Sequence, residues 1–258
     1  MDLTNRSELI QLLQKYNLWT KKFLGQNFLI NKEALTKIVD SAEIQSTDHI
    51  IEIGPGVGTL TKELAKKAEK VTCLEIDKTL MPAFVENLID YKNAKIIHMD
   101  ALQFTPPETP YKVVANIPYN ITSPLLNLFL QAKNPPKSIT FLMQKEVAEK
   151  ICKPEPNHTV LSLQVQLFGD PKIIDQVSAD SFLPPPKVNS AILHITPNPK
   201  VPHDKALEIL QLAKRAFTSG RKKLSNTLPD IKEKLEKLSL AEKRPQHLSI
   251  SDWEKLCN

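Results

Sequence analysis

Cysteine is scarce in these 258 residues: three occur, at 73, 152 and 257, without a CxxC pair. An odd, scattered set builds neither a disulfide framework nor a zinc site, and it suits a reducing, cytosolic compartment. No stretch reaches the ~20 apolar residues of a membrane span. The first 18 residues carry Asp2, Arg6, Glu8 and Lys15 where a secretion signal would have an apolar core. A soluble, unprocessed protein is expected, with no membrane partner. The six histidines show no ligand spacing, so no metal is expected, and no nucleophile, base and orienting acid suggest a hydrolytic triad. Internal repeats and low-complexity tracts are also missing. Charge is nearly balanced, 34 Lys and Arg against 29 Asp and Glu, and a net charge of +5 favours an anionic partner only mildly.

What is present is an ordinary globular hydrophobic content of 41% and an alternating pattern of elements. Leu9, Ile10, Leu12 and Leu13 fall at helical spacing within residues 7–16, followed by an arm rich in Lys and aromatics that ends in Gly25-Gln26-Asn27-Phe28-Leu29. A helix over 31–42 leads to a strand over 48–53, which runs straight into Gly54-Pro55-Gly56-Val57-Gly58. The pattern then gives a helix over 59–68, a strand over 70–77, a helix over 80–91, a strand over 94–99, a strand ending at Ala115, a helix over 123–131 and a strand over 138–143. Strands alternating with helices predict a parallel sheet covered on both faces. A further helix reaches Ile151, the apolar run 160–168 follows, and Phe182 to Val188, with three consecutive prolines, is stiff and extended. A strand over 190–196 closes the sheet, and Pro197 to Pro202 reads as a hinge. Beyond it only helical stripes occur: Ala206, Leu210, Ala213 and Phe217; Ile231, Leu235 and Leu238; Ile250, Trp253 and Leu256. Ser251 and Glu254 have capping-box spacing, and Gly220 and Pro229 fall where turns are needed. The expected domains are therefore 1–200 and a small helical unit, 201–258.

Glycines directly after a strand let the backbone approach an anion, and the following helix offers unpaired N–H groups. Alone, Gly54 to Gly58 is a weak signal. The dinucleotide fingerprint asks for a third Gly or Ala where this chain has Thr59 or Thr61, which disfavours nicotinamide and flavin cofactors. Glu75, at the end of the next strand, can accept from both hydroxyls of a ribose, and Asp100, at the end of the third, can reach an adenine amine. Loop, ribose acid and base-side acid in that order fit S-adenosylmethionine, which has a carboxylate, a sugar and a purine but no pyrophosphate. Asp77 reads as a helix cap for the segment starting at Thr79.

Asn116-Ile117-Pro118-Tyr119 follows the strand ending at Ala115. Ligands of open α/β sheets bind at that end. The exocyclic nitrogen of adenine is a poor nucleophile because its lone pair is delocalised into the ring. An Asn116 side-chain oxygen accepting one N–H, and the Ile117 carbonyl, stiffened by Pro118, accepting the other, would localise that pair. Tyr119 supplies a stacking face for a base taken out of its helix. Phe182 is a candidate for the opposite wall, about as well explained as a core aromatic.

These segments, with Glu52-Ile53-Gly54-Pro55-Gly56, Glu75-Ile76-Asp77, Asp100-Ala101 and Phe182-Leu183-Pro184-Pro185-Pro186-Lys187-Val188, resemble the ribosomal RNA adenine N6,N6-dimethyltransferases in order and spacing across the whole chain. Within that family Gln144-Lys145-Glu146-Val147-Ala148 and Arg244-Pro245-Gln246-His247-Leu248-Ser249 look like the bacterial branch that acts on the small subunit. The resemblance implies a Rossmann-like class I methyltransferase sheet with a helical C-terminal domain. It implies S-adenosylmethionine contacts from Asn27, Leu29, Gly54, Glu75, Asp100 and Asn116 with Gln26 nearby, and a target-base pocket formed by Asn116 to Tyr119 and Phe182. The implied substrate is two adjacent adenosines near the 3′ end of 16S rRNA, and the implied partner is the small ribosomal subunit, met by a cytoplasmic monomer. One departure stands out: His158-Thr159-Val160 precedes Leu161-Ser162 where relatives usually carry Tyr-Gly.

Phosphate contacts position such a substrate while a pocket reads the base. Candidates are Lys21 and Lys22 in the arm and Arg215, Arg221, Lys222 and Lys223 near a helix junction, though a charge run is most often a solvated face. Two other readings stay open: a large-subunit adenine methyltransferase of the macrolide-resistance type, and a non-catalytic RNA-binding assembly factor. The first is disfavoured by the Lys-Glu-Val-Ala stretch and the C-terminal ending, the second by the intact Asn116 to Tyr119 and Glu75.

Overall fold

Leu9 and Leu12 form the buried stripe of helix α1 (Arg6–Lys15), whose first N–H groups are capped by the Asn5 side chain. The computed structural model describes residues 1–19 and 25–258. After strand β1 (Phe28–Leu29), Asn31 caps α2 (Lys32–Ser41), which buries Ala34, Leu35, Ile38 and Val39. Strands and helices then alternate: β2 (His49–Ile53), α3 (Thr59–Lys67), β3 (Lys70–Glu75), α4 (Met81–Asn87), β4 (Ala94–His98), β5 (Lys112–Asn116), α5 (Thr122–Leu130), β6 (Ile139–Gln144) and α6 (Lys145–Ile151). The chain continues through α7 (Val160–Phe168), β7 (Gly169–Val177), β8 (Phe182–Leu183), β9 (Ser190–Pro197), α8 (His203–Phe217), α9 (Leu224–Thr227), α10 (Lys232–Lys237) and α11 (Ile250–Cys257).

Seven strands form one sheet in the order β4-β3-β2-β5-β6-β9-β7. The β2–β3, β3–β4, β2–β5 and β5–β6 pairs are parallel, and β9 returns antiparallel on β6. Central strands are apolar on both faces because helices cover both, as Ile50, Ile51, Val113, Val114, Phe141 and Leu142, all fully buried, show. This is the parallel sheet covered on both faces that the alternation of strands and helices predicts, and its order is the Rossmann-like one that the resemblance implies. The chain leaves β2 toward β3 and β4 on one side and places β5 and β6 on the other, which opens a crevice beyond the carboxyl ends of β2 and β5. A separate antiparallel pair joins β1 to β8, with Phe28 opposite Leu183 and Leu29 opposite Phe182.

Several elements differ from the sequence reading. Helix α4 ends at Asn87 instead of reaching residue 91; the chain turns there, and Asn93 caps α3 by donating to the carbonyls of Ala65 and Ala68. Strand β7 has no counterpart in the sequence reading. It is the sheet edge, its side chains alternate between buried or half-buried and exposed, and it carries Asp170, Pro171, Lys172 and Asp175, so it reads as a polar loop. The capping box of α11 is made by Ser249 and Asp252, not by Ser251 and Glu254, because the helix begins one residue before Ser251.

The chain divides into two compact units, Met1–Ala148 with Lys172–Thr196, and Glu149–Pro171 with Pro197–Asn258. The sequence boundary near residue 200 thus differs by the segment 149–171, which belongs with the C-terminal helices because α7 packs on α8. Within that second unit Trp253 is fully buried and stacks on Phe217, with ring centroids 6.3 Å apart. The His158-Thr159 departure has a local outcome there: His158 is buried, and Thr159 forms a capping box with Ser162 at the start of α7. Among the described residues no helix is long and apolar enough to cross a membrane.

Candidate active site

A cleft lies beyond the carboxyl ends of β2 to β5 in the first unit. It is lined by the arm residues Gly25 to Leu29, the loop after β2, Glu75 and Ile76 after β3, Asp100 to Leu102 after β4, and Asn116 to Ile121 after β5. The sequence-predicted residues Gln26, Asn27, Leu29, Gly54, Gly56, Glu75, Asp100, Asn116, Ile117, Pro118 and Tyr119 therefore come together from five separate stretches of chain.

The loop after β2 is shaped by left-handed backbone. Gly56 has φ +61°, and a Cβ there would stand 3.1 Å from the ring of Phe28, which packs beneath the loop. Gly58 has φ +86° at the N-terminus of α3, where a Cβ would be 2.3 Å from Leu88 Cδ2. Gly54 is fixed by its N–H, which donates to the Leu74 carbonyl at 2.9 Å and so ties the loop to the end of β3. Glu75, 4% exposed, accepts from the Gly56 N–H at 3.1 Å through Oε2 and from the Asp77 N–H at 2.8 Å through Oε1. Burial raises its carboxyl pKa, and the backbone N–H groups oppose that rise. Each carboxylate oxygen has two acceptor sites, so both can still receive a hydroxyl from a ligand. Asp100 caps the turn after β4 by accepting from the Leu102 N–H at 2.9 Å. Asp77 accepts from the Thr79 N–H, as the cap reading anticipated, and also from the Gln26 side chain at 2.8 Å, which fastens the arm to the end of β3.

Asn116 is the last residue of β5. Its Nδ2 donates to the Asn27 carbonyl at 3.1 Å, which commits the amide nitrogen to the arm and leaves Oδ1 as the acceptor available to a substrate amine. Ile117 is buried, and its N–H donates to the Leu142 carbonyl at 3.1 Å, so the peptide that carries the second acceptor is anchored to β6. Pro118 lies against Gly25, where a Cβ on that glycine would meet it at 3.5 Å. Tyr119 starts a short 3-10 turn, half-buried, with its hydroxyl 2.7 Å from Ser190 Oγ. Phe182 is not brought to the cleft: it is 2% exposed and packs in the core with Leu29, Leu35, Ile38 and Ile192, because β8 pairs with β1 and turns that side chain inward.

Such a cleft, with a carboxylate clamp on one side and an amide, carbonyl and aromatic ring on the other, agrees with the comparisons to known proteins. The family described as Ribosomal RNA adenine dimethylase matches residues 17–251. The chain belongs to this family. Relatives include proteins called Ribosomal RNA small subunit methyltransferase A from Dehalococcoides mccartyi, 37% identical over 96% of this chain and 90% of the relative. The same name is carried by a Listeria innocua protein, 34% identical over 100% of this chain and 96% of the relative. Among solved structures, a dimethyladenosine transferase from Plasmodium falciparum superposes with a TM-score of 0.78 at 28% identity, covering 89% of this chain and 95% of that one. The 23S rRNA methyltransferase ErmE superposes with a TM-score of 0.71 at 26% identity, covering 90% and 98%. The dimethylase is accordingly a methyltransferase of ribosomal RNA adenines, an activity that implies a methyl donor.

One buried acid of the dimethylase has no assigned role in the sequence reading. Glu52, 1% exposed and next to last in β2, accepts from the Cys73 thiol at 3.5 Å and bonds Thr61, and burial pushes its pKa up to about 8. The signal was there in the sequence, a single charged residue inside Ile50-Ile51-Glu52-Ile53. An unfolded glutamate titrates near 4.5. Below that pH both states are protonated and Glu52 costs nothing. Between 4.5 and 8 the unfolded chain ionises first, so stability falls as pH rises through that window. Glu52→Gln is therefore expected to gain stability over the parent at pH 8 compared with pH 5, by on the order of a few kcal/mol at ~1.4 kcal/mol per pKa unit. Denaturant melts at the two pH values check this, and parallel pH profiles for parent and variant would refute it.

The candidate RNA-binding residues fall into three groups. Lys21 and Lys22 lie outside the described residues. Arg215 pairs with Asp230 at 2.6 Å and Lys223 pairs with Glu242, so both are already partnered by surface acids. Arg221 and Lys222 are exposed and pair with no acid among the described residues.

Proposed function

We propose that this dimethylase uses S-adenosylmethionine to methylate N6 of two adjacent adenosines near the 3′ end of 16S rRNA, giving N6,N6-dimethyladenosine on the small ribosomal subunit. The observation that carries the reading is the Asn27–Asn116 hydrogen bond at 3.1 Å, which joins the donor side of the cleft to the base side through one amide. The cleft fits the donor: Glu75 retains acceptor sites for two ribose hydroxyls, Asp100 stands at the next strand end, and the positive-φ glycines open the loop where an amino-acid carboxylate would approach N–H groups. When bound, S-adenosylmethionine supplies an electrophilic methyl group. Asn116 Oδ1 and the Ile117 carbonyl each accept one N–H of the target amine, which localises its lone pair toward that methyl. No strong base is required, because the proton is lost from a nitrogen that becomes cationic as it is alkylated. Tyr119 offers its face to the extruded base, a contact worth about 1–3 kcal/mol.

Support for the small subunit comes from the names of the relatives and from the Gln144 to Ala148 and Arg244 to Ser249 segments. The second unit, with Arg221 and Lys222 exposed beside the end of α8, is proposed to engage rRNA phosphates. We place the reaction in the cytoplasm and take the free enzyme as a monomer. Likeness to ErmE keeps one other target in play, the large-subunit RNA. Labelled methyl transfer to small and large subunits from a strain lacking the modification decides between them. Label recovered as dimethyladenosine in the small subunit alone is expected; label in large-subunit RNA would overturn the assignment, and no label would favour a binding factor.

A further inference from the structure

Phe182 does not reach the cleft, yet two residues beyond the proline motif it opens stands Ser190, whose hydroxyl meets that of the cleft residue Tyr119. Ser190 begins β9, is fully buried, and stands opposite Gln144 in the sheet. Its neighbour Asn189 is pinned twice, by the Lys145 N–H on its carbonyl at 3.0 Å and by the Ala179 N–H on Oδ1 at 3.2 Å. Among the described residues the only partner of the Ser190 hydroxyl is Tyr119, at 2.7 Å.

We propose that Ser190 is a positioning residue for the target base, holding the Tyr119 ring by its hydroxyl in the orientation that receives the adenine. The proposal rests on the reading of Tyr119 as the stacking face. A phenylalanine would stack as well as a tyrosine, so the hydroxyl is not needed for the stack itself. Its use is at the far end of the ring. The backbone of Tyr119 is held in a 3-10 turn, with its carbonyl accepting from Thr122 Oγ1 at 3.2 Å, and the hydroxyl is held by a serine seated in the sheet. A ring fixed at both ends loses little rotamer freedom when the base arrives, and pre-organisation of this kind raises affinity by removing that cost. Pro184 to Pro186 then have a function as a stiff lead that delivers Ser190 into register with β6.

The test is steady-state methyl transfer to small subunits by the parent enzyme, Ser190→Ala, Tyr119→Phe and the double variant, with Tyr119→Ala and calorimetry of S-adenosylmethionine binding alongside. Each single variant is expected to raise KM for the subunit roughly 3- to 10-fold, the net worth of one hydrogen bond, with donor affinity unchanged. The double variant should be no worse than either single one, and Ser190→Thr, which keeps the hydroxyl, should recover most of the loss. Additive losses, or a fall in donor affinity and melting temperature confined to Ser190→Ala, would make the serine merely structural and overturn the proposal. Parent-like KM in Ser190→Ala and Tyr119→Phe with an impaired Tyr119→Ala would also overturn it while sparing the stacking reading. Full activity in Tyr119→Ala would remove both.

Discussion

Asn116→Ala is expected to lower methyl transfer by about 10²- to 10³-fold, the usual cost of removing one pre-organised hydrogen-bonding group from a reacting centre. Two losses combine in that change. The acceptor Oδ1 disappears from the cleft, and the Asn27 carbonyl loses the N–H donor that ties the arm to β5 at 3.1 Å. Asn116→Asp separates them, because it keeps an acceptor at the same place but can no longer donate to Asn27. If the acceptor matters most, the Asp variant retains more activity than the Ala variant; if the tether matters most, the two fall together. RNA binding, measured by filter retention of small subunits, should stay close to the parent in both, since the phosphate contacts proposed for Arg221 and Lys222 are elsewhere in the chain. Full activity in Asn116→Ala would end the mechanism proposed above.

How much of this site the sequence carried depends on the kind of residue. Glu75 and Asn116 were legible because each is the last residue of a strong apolar strand, Asp100 because it follows the end of β4 by two residues, and strand ends on one side of a parallel sheet line the same crevice. The arm was legible only through family likeness. Nothing in Gly25 to Leu29 says that two of its residues pair with β8, about 150 positions later, or that Asn27 offers its carbonyl to Asn116. Phe182 shows the limit of pattern reasoning: an aromatic beside a proline run suits a base-binding wall, but alternation in a two-residue strand cannot reveal which face is inward. Strand β7 was hidden for a related reason, since an edge strand with charged outward positions has the composition of a loop. The boundary of the second unit was placed by its hinge prolines, yet helix α7 joins that unit through packing on α8, which is a long-range fact.

Glu75→Ala is expected to weaken S-adenosylmethionine binding on the order of 10²-fold or more, because two ribose hydroxyls would each lose a charge-assisted bond worth about 1.5–3 kcal/mol. The same change should lower the melting temperature. It leaves the N–H groups of Gly56 and Asp77 without the carboxylate that both donate to, and an unsatisfied buried N–H costs about 1–3 kcal/mol. Glu75→Gln distinguishes the roles. Its amide oxygen can serve only one of those N–H groups while its nitrogen faces the other, so it should be destabilised less than the Ala variant but still bind the donor poorly. Proton linkage gives an independent check. Burial raises the Glu75 pKa, and two hydroxyls are best accepted by the ionised form, so donor affinity should fall as pH is lowered through that raised value. The variants, having no carboxyl at this position, should show less of that fall. Calorimetry across pH reads both effects at once: a lowered melting temperature with unchanged donor affinity would reduce Glu75 to a brace for the glycine loop and move the ribose contact elsewhere in the cleft.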